Sequence, residues 1–352
     1  MKQSKYQSFL IPVLSVLLGL LLGALIMVAF GFNPAAGYGA MIKGALGKPF
    51  SIGETLRQAT PLILVALGFS VANTAGFFNI GVAGQALFGW VFSVWTAMMF
   101  PDLPKFVLVP LCLLAGAIGG GLWAGIAGFL RAYFNTSEVI VTIMLNYTAL
   151  SVSNYLVRNV MTAQADATAR ISANASLREE WLTALTKNSS LHMGLFVALL
   201  AVVVVWVLMN KTTLGFELKT VGLNKFAAEY AGMSAKRNII LAMLISGALA
   251  GLGGAMEGLG TFQNIFSLGS LPDIGFDGLA VSLLGTGDPI GIVFSALIFG
   301  ILRIGGNTMP TAGVPKEIVS IVMAAIIFFV GANYIIRLAL EKFGKNDKKG
   351  VN

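Results

Sequence analysis

The chain has 352 residues, a formal net charge of +8, 57% hydrophobic and 11% charged residues, and a mean hydropathy of +0.84. A soluble domain carries about 25% charged residues, so this composition excludes one and marks an integral membrane protein. Apolar runs of about 20 residues fit helical spans of a bilayer, and the ten-residue alternation of a β-barrel is absent, so the fold class is an all-α polytopic membrane protein.

Ten spans are predicted. The first, 9–31, follows Lys2 and Lys5 and exceeds the roughly 7–15 residues of a signal-peptide core, so a retained helix is expected. Residues 31–59 are expected outside, with Ser51-Ile-Gly-Glu54 as a capping box starting a short surface helix. The second span, 61–74, is short, and Thr60-Pro61 suits its N-cap and first turn. Spans three to five cover 78–100, 106–130 and 139–157. A polar outer loop fills 158–191, and span six covers 193–209. A basic, amphipathic inner loop fills 211–237 before span seven, 239–259. Glu257 is expected near the outer surface with its head in water, and Arg303 is a candidate to pair with it. Span eight, 272–284, is short and polar-interrupted; span nine, 289–302, opens with an Asp288-Pro289 cap; span ten covers 318–336. With both termini inside, basic residues are about twice as dense in the inner segments as in the outer ones, as membrane orientation demands. That accounts for the positive charge without a nucleic-acid partner.

One phrase occurs twice. Asn79-Ile-Gly-Val-Ala-Gly-Gln-Ala86 returns as Asp273-Ile-Gly-Phe-Asp-Gly-Leu-Ala280. Polar, glycine-bearing interruptions in corresponding places of two halves point to a transport route. The halves are expected at about 60–157 and 238–336 of one domain spanning 1–352. Asn73, Phe77, Phe78, Asn79, Gln85, Trp90, Asn146, Asp273 and Asp277 are the candidate pathway residues, with Asn154, Gln263 and Asn264 as further amides. The amides could equally satisfy the backbone of broken helices, and Asp277 could cap a helix. Small-xxx-small faces at Gly116/Gly120, Gly121/Gly125, Gly247/Gly251 and Gly254/Gly258 allow close helix packing, static or sliding.

Catalytic motifs are missing: there is no P-loop, no H-E-x-x-H and no G-x-S-x-G. One cysteine, Cys112, excludes an internal disulfide, and one histidine, His192, excludes a His-rich metal centre. The chain is therefore read as a transporter and not an enzyme. Sparse deep carboxylates argue against the alternative of an ion-coupled carrier. In the inner loop, Ala227-Ala-Glu-Tyr-Ala-Gly232 fits a short helix ending at a glycine able to adopt the left-handed conformation.

The chain resembles permease subunits of ABC importers of the branched-chain amino acid/ribose family, nucleoside-type members above all. The resemblance rests on Thr60-Pro61-Leu62, Gly76 to Gly81 with Gly84-Gln85, Gly215 to Gly232, Ser246 to Gly251, and Gly275 to Ala280. Phe226 stands where the coupling motif of other ABC permeases has a glutamate. The resemblance implies about ten helices in two inverted repeats, a type II importer-like fold. It implies a second permease subunit, a cytoplasmic ATPase that binds the ATP, and a substrate-binding lipoprotein, with no cofactor in this chain. It assigns Gly215, Glu217, Lys219, Gly222, Asn224, Ala227, Ala228, Glu229 and Gly232 to ATPase coupling. Nucleosides are the expected substrate, with ribose-like sugars or branched-chain amino acids as alternatives.

Overall fold

The structure, a computed structural model, describes residues 5–332, with side chains from Pro12 onward. The end of span ten, the polar tail and Lys2 lie outside the described residues. Among the described residues, eight helices are long and apolar enough to cross a membrane: α1 (Lys5–Ala29), α3 (Pro49–Thr74), α4 (Val82–Met99), α5 (Lys105–Phe134), α6 (Glu138–Leu156), α8 (Gly194–Lys211), α11 (Ala235–Met256) and α13 (Pro289–Gly306). Two shorter helices, α12 (Asp273–Leu284) and α14 (Glu317–Gly331), complete the ten predicted spans. The remaining helices, α2 (Pro34–Leu46), α7 (Glu180–Leu185), α9 (Thr213–Leu223) and α10 (Lys225–Tyr230), lie between spans.

The second span differs from expectation. α3 is one helix of 26 residues that begins at Pro49 and carries Pro61 in its interior. Pro49 takes the first-turn position, where a missing N–H costs nothing, and Pro61 is tolerated because neighbouring helices enclose it. The capping box does not form. Glu54 instead pairs with Arg57 at 2.7 Å and accepts the Ser190 N–H at 2.5 Å. α2 is a further departure. Asn33 caps it by accepting the Ala35 and Ala36 N–H groups, and Pro34 fills its first turn.

α3 and α11 form the antiparallel centre. Gly68 of α3 lies against the Ser246 carbonyl, and Gly253 of α11 lies against the Pro61 carbonyl. A Cβ on Gly120 would sit 2.3 Å from the Gly247 carbonyl oxygen, so the 116/120 face of α5 and the 247/251 face of α11 pack backbone to backbone. Contacts recur in pairs: α3 touches α12 and α13 as α11 touches α4 and α5. The α4–α5, α4–α6 and α5–α6 contacts likewise recur as α12–α13, α12–α14 and α13–α14.

At one end of the bundle α9 packs beneath the C-terminus of α3, and α10 packs on α9 and α11. At the other, a strap closes the molecule. α6 and α11 both end in a π-helical turn, Val157–Met161 and Glu257–Thr261. The segments that follow lie side by side, with Thr168 N–H to Ile265 carbonyl and Ile171 N–H to Gln263 carbonyl, each 2.9 Å. Arg178 ties the strap down through the Gly260 and Thr261 carbonyls; burial and the nearby Arg170 cation lower its pKa. His192 is buried beside it, and burial, reinforced by Arg57, lowers its pKa to about 3, so it is neutral. The strap also corrects the expectation for Glu257. Its side chain is buried beneath these segments and does not reach water.

Candidate functional site: two re-entrant turns

α3 ends at Thr74, and Gly76, with φ +78°, turns the chain back into the bundle. The Asn79 phrase is therefore the turn itself, and α4 starts at Val82 rather than 78. Asn79 and Gln85 are fully buried and exchange two amide hydrogen bonds, Nδ2 to Oε1 at 2.9 Å and Nε2 to Oδ1 at 3.0 Å. Asn79 also donates to Ser246 Oγ on α11 at 2.8 Å and accepts the Gly81 N–H at 3.0 Å. Every hydrogen-bonding capacity of the Asn79 amide is thus used. From α6, Asn146 accepts the Gly84 N–H at 2.8 Å and donates to the Ile80 carbonyl at 3.0 Å.

The second phrase begins after the strap, at the first turn of α12. Its polar groups are carboxylates held by Arg303 of α13, at 3.1 Å from Asp273 and 2.5 Å from Asp277. Arg303 pairs with these two, not with Glu257. Asp277 lies a turn inside α12 and is buried, whereas Asp273 is largely exposed. The two phrases touch: a Cβ on Gly275 would lie 2.4 Å from the Ala83 Cα.

Other pathway candidates fall in two places. Trp90 sits under the strap, donating its indole N–H to the Asn264 carbonyl at 2.8 Å and stacking on Phe262 at 5.2 Å. Gln263 is buried there, accepting from Arg170 and donating to Ser176 at 2.5 Å. Phe77 is buried at the first turn, Phe78 meets Phe69 edge to face at 5.1 Å, and Asn73 is exposed beside them. Asn154 does for the strap what Asn146 does for the turn. It donates to the Leu268 carbonyl and accepts the Leu268 N–H, at 2.8 and 2.9 Å.

The 211–237 segment divides the predicted coupling residues. Gly215 packs on the Leu208–Met209 backbone, Glu217 accepts from Asn238 at 2.9 Å, Lys219 donates to Asn210 at 3.0 Å, and Ala228 is buried. Gly222 meets the Thr74 carbonyl. Asn224 ends α9 and caps α10 by accepting the Phe226 and Ala227 N–H groups. α10 closes at Gly232 as expected: φ is +82°, Gly232 N–H bonds the Glu229 carbonyl and Met233 N–H the Ala228 carbonyl, both 3.0 Å. Ala227 and Glu229 face outward. The residues that sequence reasoning passed over are Leu223, Phe226 and Tyr230, which are 88%, 72% and 95% exposed. Their spacing in an otherwise polar loop was the available signal.

No solved structure matches the chain. A nucleoside ABC transporter permease protein, NupB of Lactococcus lactis, is 49% identical over 96% of this chain and 95% of its own length. A guanosine ABC transporter permease protein, NupP of Bacillus subtilis, is 49% identical over 97% of this chain and 98% of its own. A glucose ABC transporter permease protein, TsgB13 of Haloferax volcanii, is 37% identical over 91% and 86%. The two bacteria each hold a second, 27% identical relative, the nucleoside permease protein NupC and the guanosine permease protein NupQ. The family model for the permease component of branched-chain amino acid transport systems matches residues 51–331, so this multi-pass chain belongs to that ABC permease family.

Proposed function

We propose that the chain is the membrane-spanning subunit of an ATP-driven importer that carries nucleosides into the cell. The observation that carries the substrate is its near full-length 49% identity to two permeases named for nucleosides and guanosine. The geometry supports the coupling. α9 and α10 present Leu223, Phe226 and Tyr230 as an uncovered apolar patch on a basic segment, a surface for a cytoplasmic ATPase. Glu217 and Ala228 shape that surface from within, and Gly232 ends α10 at its edge. The strap end, opposite, is read as the outer face that seats a substrate-binding lipoprotein. This orientation puts both termini in the cytoplasm and the protein in the plasma membrane. The second permease follows the paired relatives of the two bacteria. The recurring contacts of α3–α6 and α11–α14 support two inverted halves in one domain.

The test is uptake of labelled guanosine and adenosine in cells expressing the whole system, with and without the chain. Uptake should stop on ATP depletion and survive an ionophore. A hexose is the second reading, favoured by the glucose permease relative. Excess unlabelled glucose that abolishes uptake, or nucleosides that are not taken up at all, would reverse the order.

A further inference from the structure

A span that faces lipid turns apolar side chains outward, because polar groups in hydrocarbon are costly. Three weakly buried spans obey this. α1 exposes Leu17, Leu21 and Leu25; α5 exposes Leu114, Ile118 and Leu122; α8 exposes Leu200, Val203 and Val204. α6 does not. It is as little enclosed as α1, yet it is as polar as α3 and α4, which the rest of the molecule surrounds. Its inner face carries Thr142, Asn146, Ala149 and Ser153. Its opposite face exposes Tyr147, Thr148, Ser151 and Tyr155, which share one side of the helix. Thr148 donates to the Met144 carbonyl at 2.9 Å. Among the described residues, the hydroxyls of Tyr147, Ser151 and Tyr155 have no partner.

Hydroxyls and aromatic faces over two turns of the second half of α6 do not suit acyl chains. We propose that this face of α6 lines the aqueous route of the assembled transporter and contacts the nucleoside directly. The tyrosine rings offer stacking surfaces to a base, and the three free hydroxyls offer donors and acceptors to a ribose. A second permease chain supplies the facing wall. The inference rests on the reading of the chain as a nucleoside permease subunit. The same helix holds the first re-entrant turn from behind through Asn146, so turn and face move together.

The single cysteine, Cys112, is buried, so Cys112→Ala gives a clean background. Ser151→Cys and Tyr155→Cys are tested one at a time in the complete transporter, with Leu122→Cys as the lipid-facing reference. A charged, membrane-impermeant thiosulfonate is expected to label positions 151 and 155 at least tenfold faster than 122. Guanosine-loaded receptor should slow labelling at least twofold. Labelling by a lipid-soluble maleimide alone would put the face against lipid and overturn the proposal. Resistance to both reagents with cross-linking to the second permease would make it a dry contact, and also overturn it. So would water access that no solute alters. Guanosine uptake by the Cys112→Ala parent is measured in the same membranes. If uptake is intact and the cysteines are dry, this inference alone fails. If the cysteines respond to glucose and not guanosine, the nucleoside reading fails while the route stands.

Discussion

The Asn79 phrase is neutral and sealed, and the Asp273 phrase is charged and open along one edge. The first stands where a helix begins inside the bundle with its first N–H groups in need of partners, the second at the exposed start of α12. In the first, the Asn79–Gln85 pair, Ser246 and Asn146 satisfy amides and backbone together. In the second, two carboxylates share one guanidinium, and Asp273 stays in contact with solvent. A sealed amide network resists separation because each orphaned group costs about 1–3 kcal/mol. An exposed ion pair is worth about 0–1 kcal/mol and can open and close. The contrast assigns rigidity to the first phrase and freedom to the Asp273 edge of the second, where Asp277 stays buried.

The contact between the phrases is the place to break both at once. Gly275→Val drives an isopropyl group into the Ala83 backbone, so loss of folded, monodisperse protein in detergent is the expected outcome. Arg303→Met comes next. It leaves the buried Asp277 carboxylate unpaired and should destabilise by about 3 kcal/mol, read as a lower melting temperature. Arg303→Met with Asp277→Leu should recover most of that loss; no recovery would mean that Arg303 matters for reasons other than Asp277. Asn79→Leu strands Gln85, Ser246 and the Gly81 N–H together, for about 2–3 kcal/mol. Insertion should survive, while uptake should fall at least tenfold. Wild-type uptake in this variant would contradict a rigid first turn. Asp273→Asn should be the mildest, within about 0.5 kcal/mol in stability. Its effect belongs in transport rate; a large melting shift would show that the second turn is as rigid as the first.

Much of this was legible in the sequence. Apolar length gave the spans, since hydrocarbon thickness sets helix length whatever the packing. The Asp288-Pro289 cap and the Gly232 helix end are local signals, and both form: Asp288 accepts the Ile290 and Gly291 N–H groups, and Gly232 takes a positive φ. The start of α3 is not legible, because Pro49 and Pro61 both suit a first turn and only burial of residues 59 to 72 decides between them. Asn33-Pro34 carried the same cap signal as Asp288-Pro289, but it opened a segment without membrane-length hydropathy, so α2 went unread. The doublet phrase located the site, but Arg303 as partner of Asp273 and Asp277 could not be read. Its partners lie 26 and 30 residues away, on another helix. Helix rise alone puts Glu257 in water, because it takes no account of a strap folding over the end.

The close approach of Gly222 to the end of α3 has a mechanical consequence. A Cβ at residue 222 would lie 2.0 Å from the Thr74 carbonyl oxygen and 2.9 Å from Gly76 N, so bare backbone meets bare backbone. Side chains between two segments act as a cushion, because rotamers absorb small displacements. Here there is no cushion. A push of an ångström on α9 has to reappear in residues 74–76, immediately ahead of Asn79. The surface that would meet a motor and the turn that enters the bundle then behave as one lever, with its fulcrum at a single glycine.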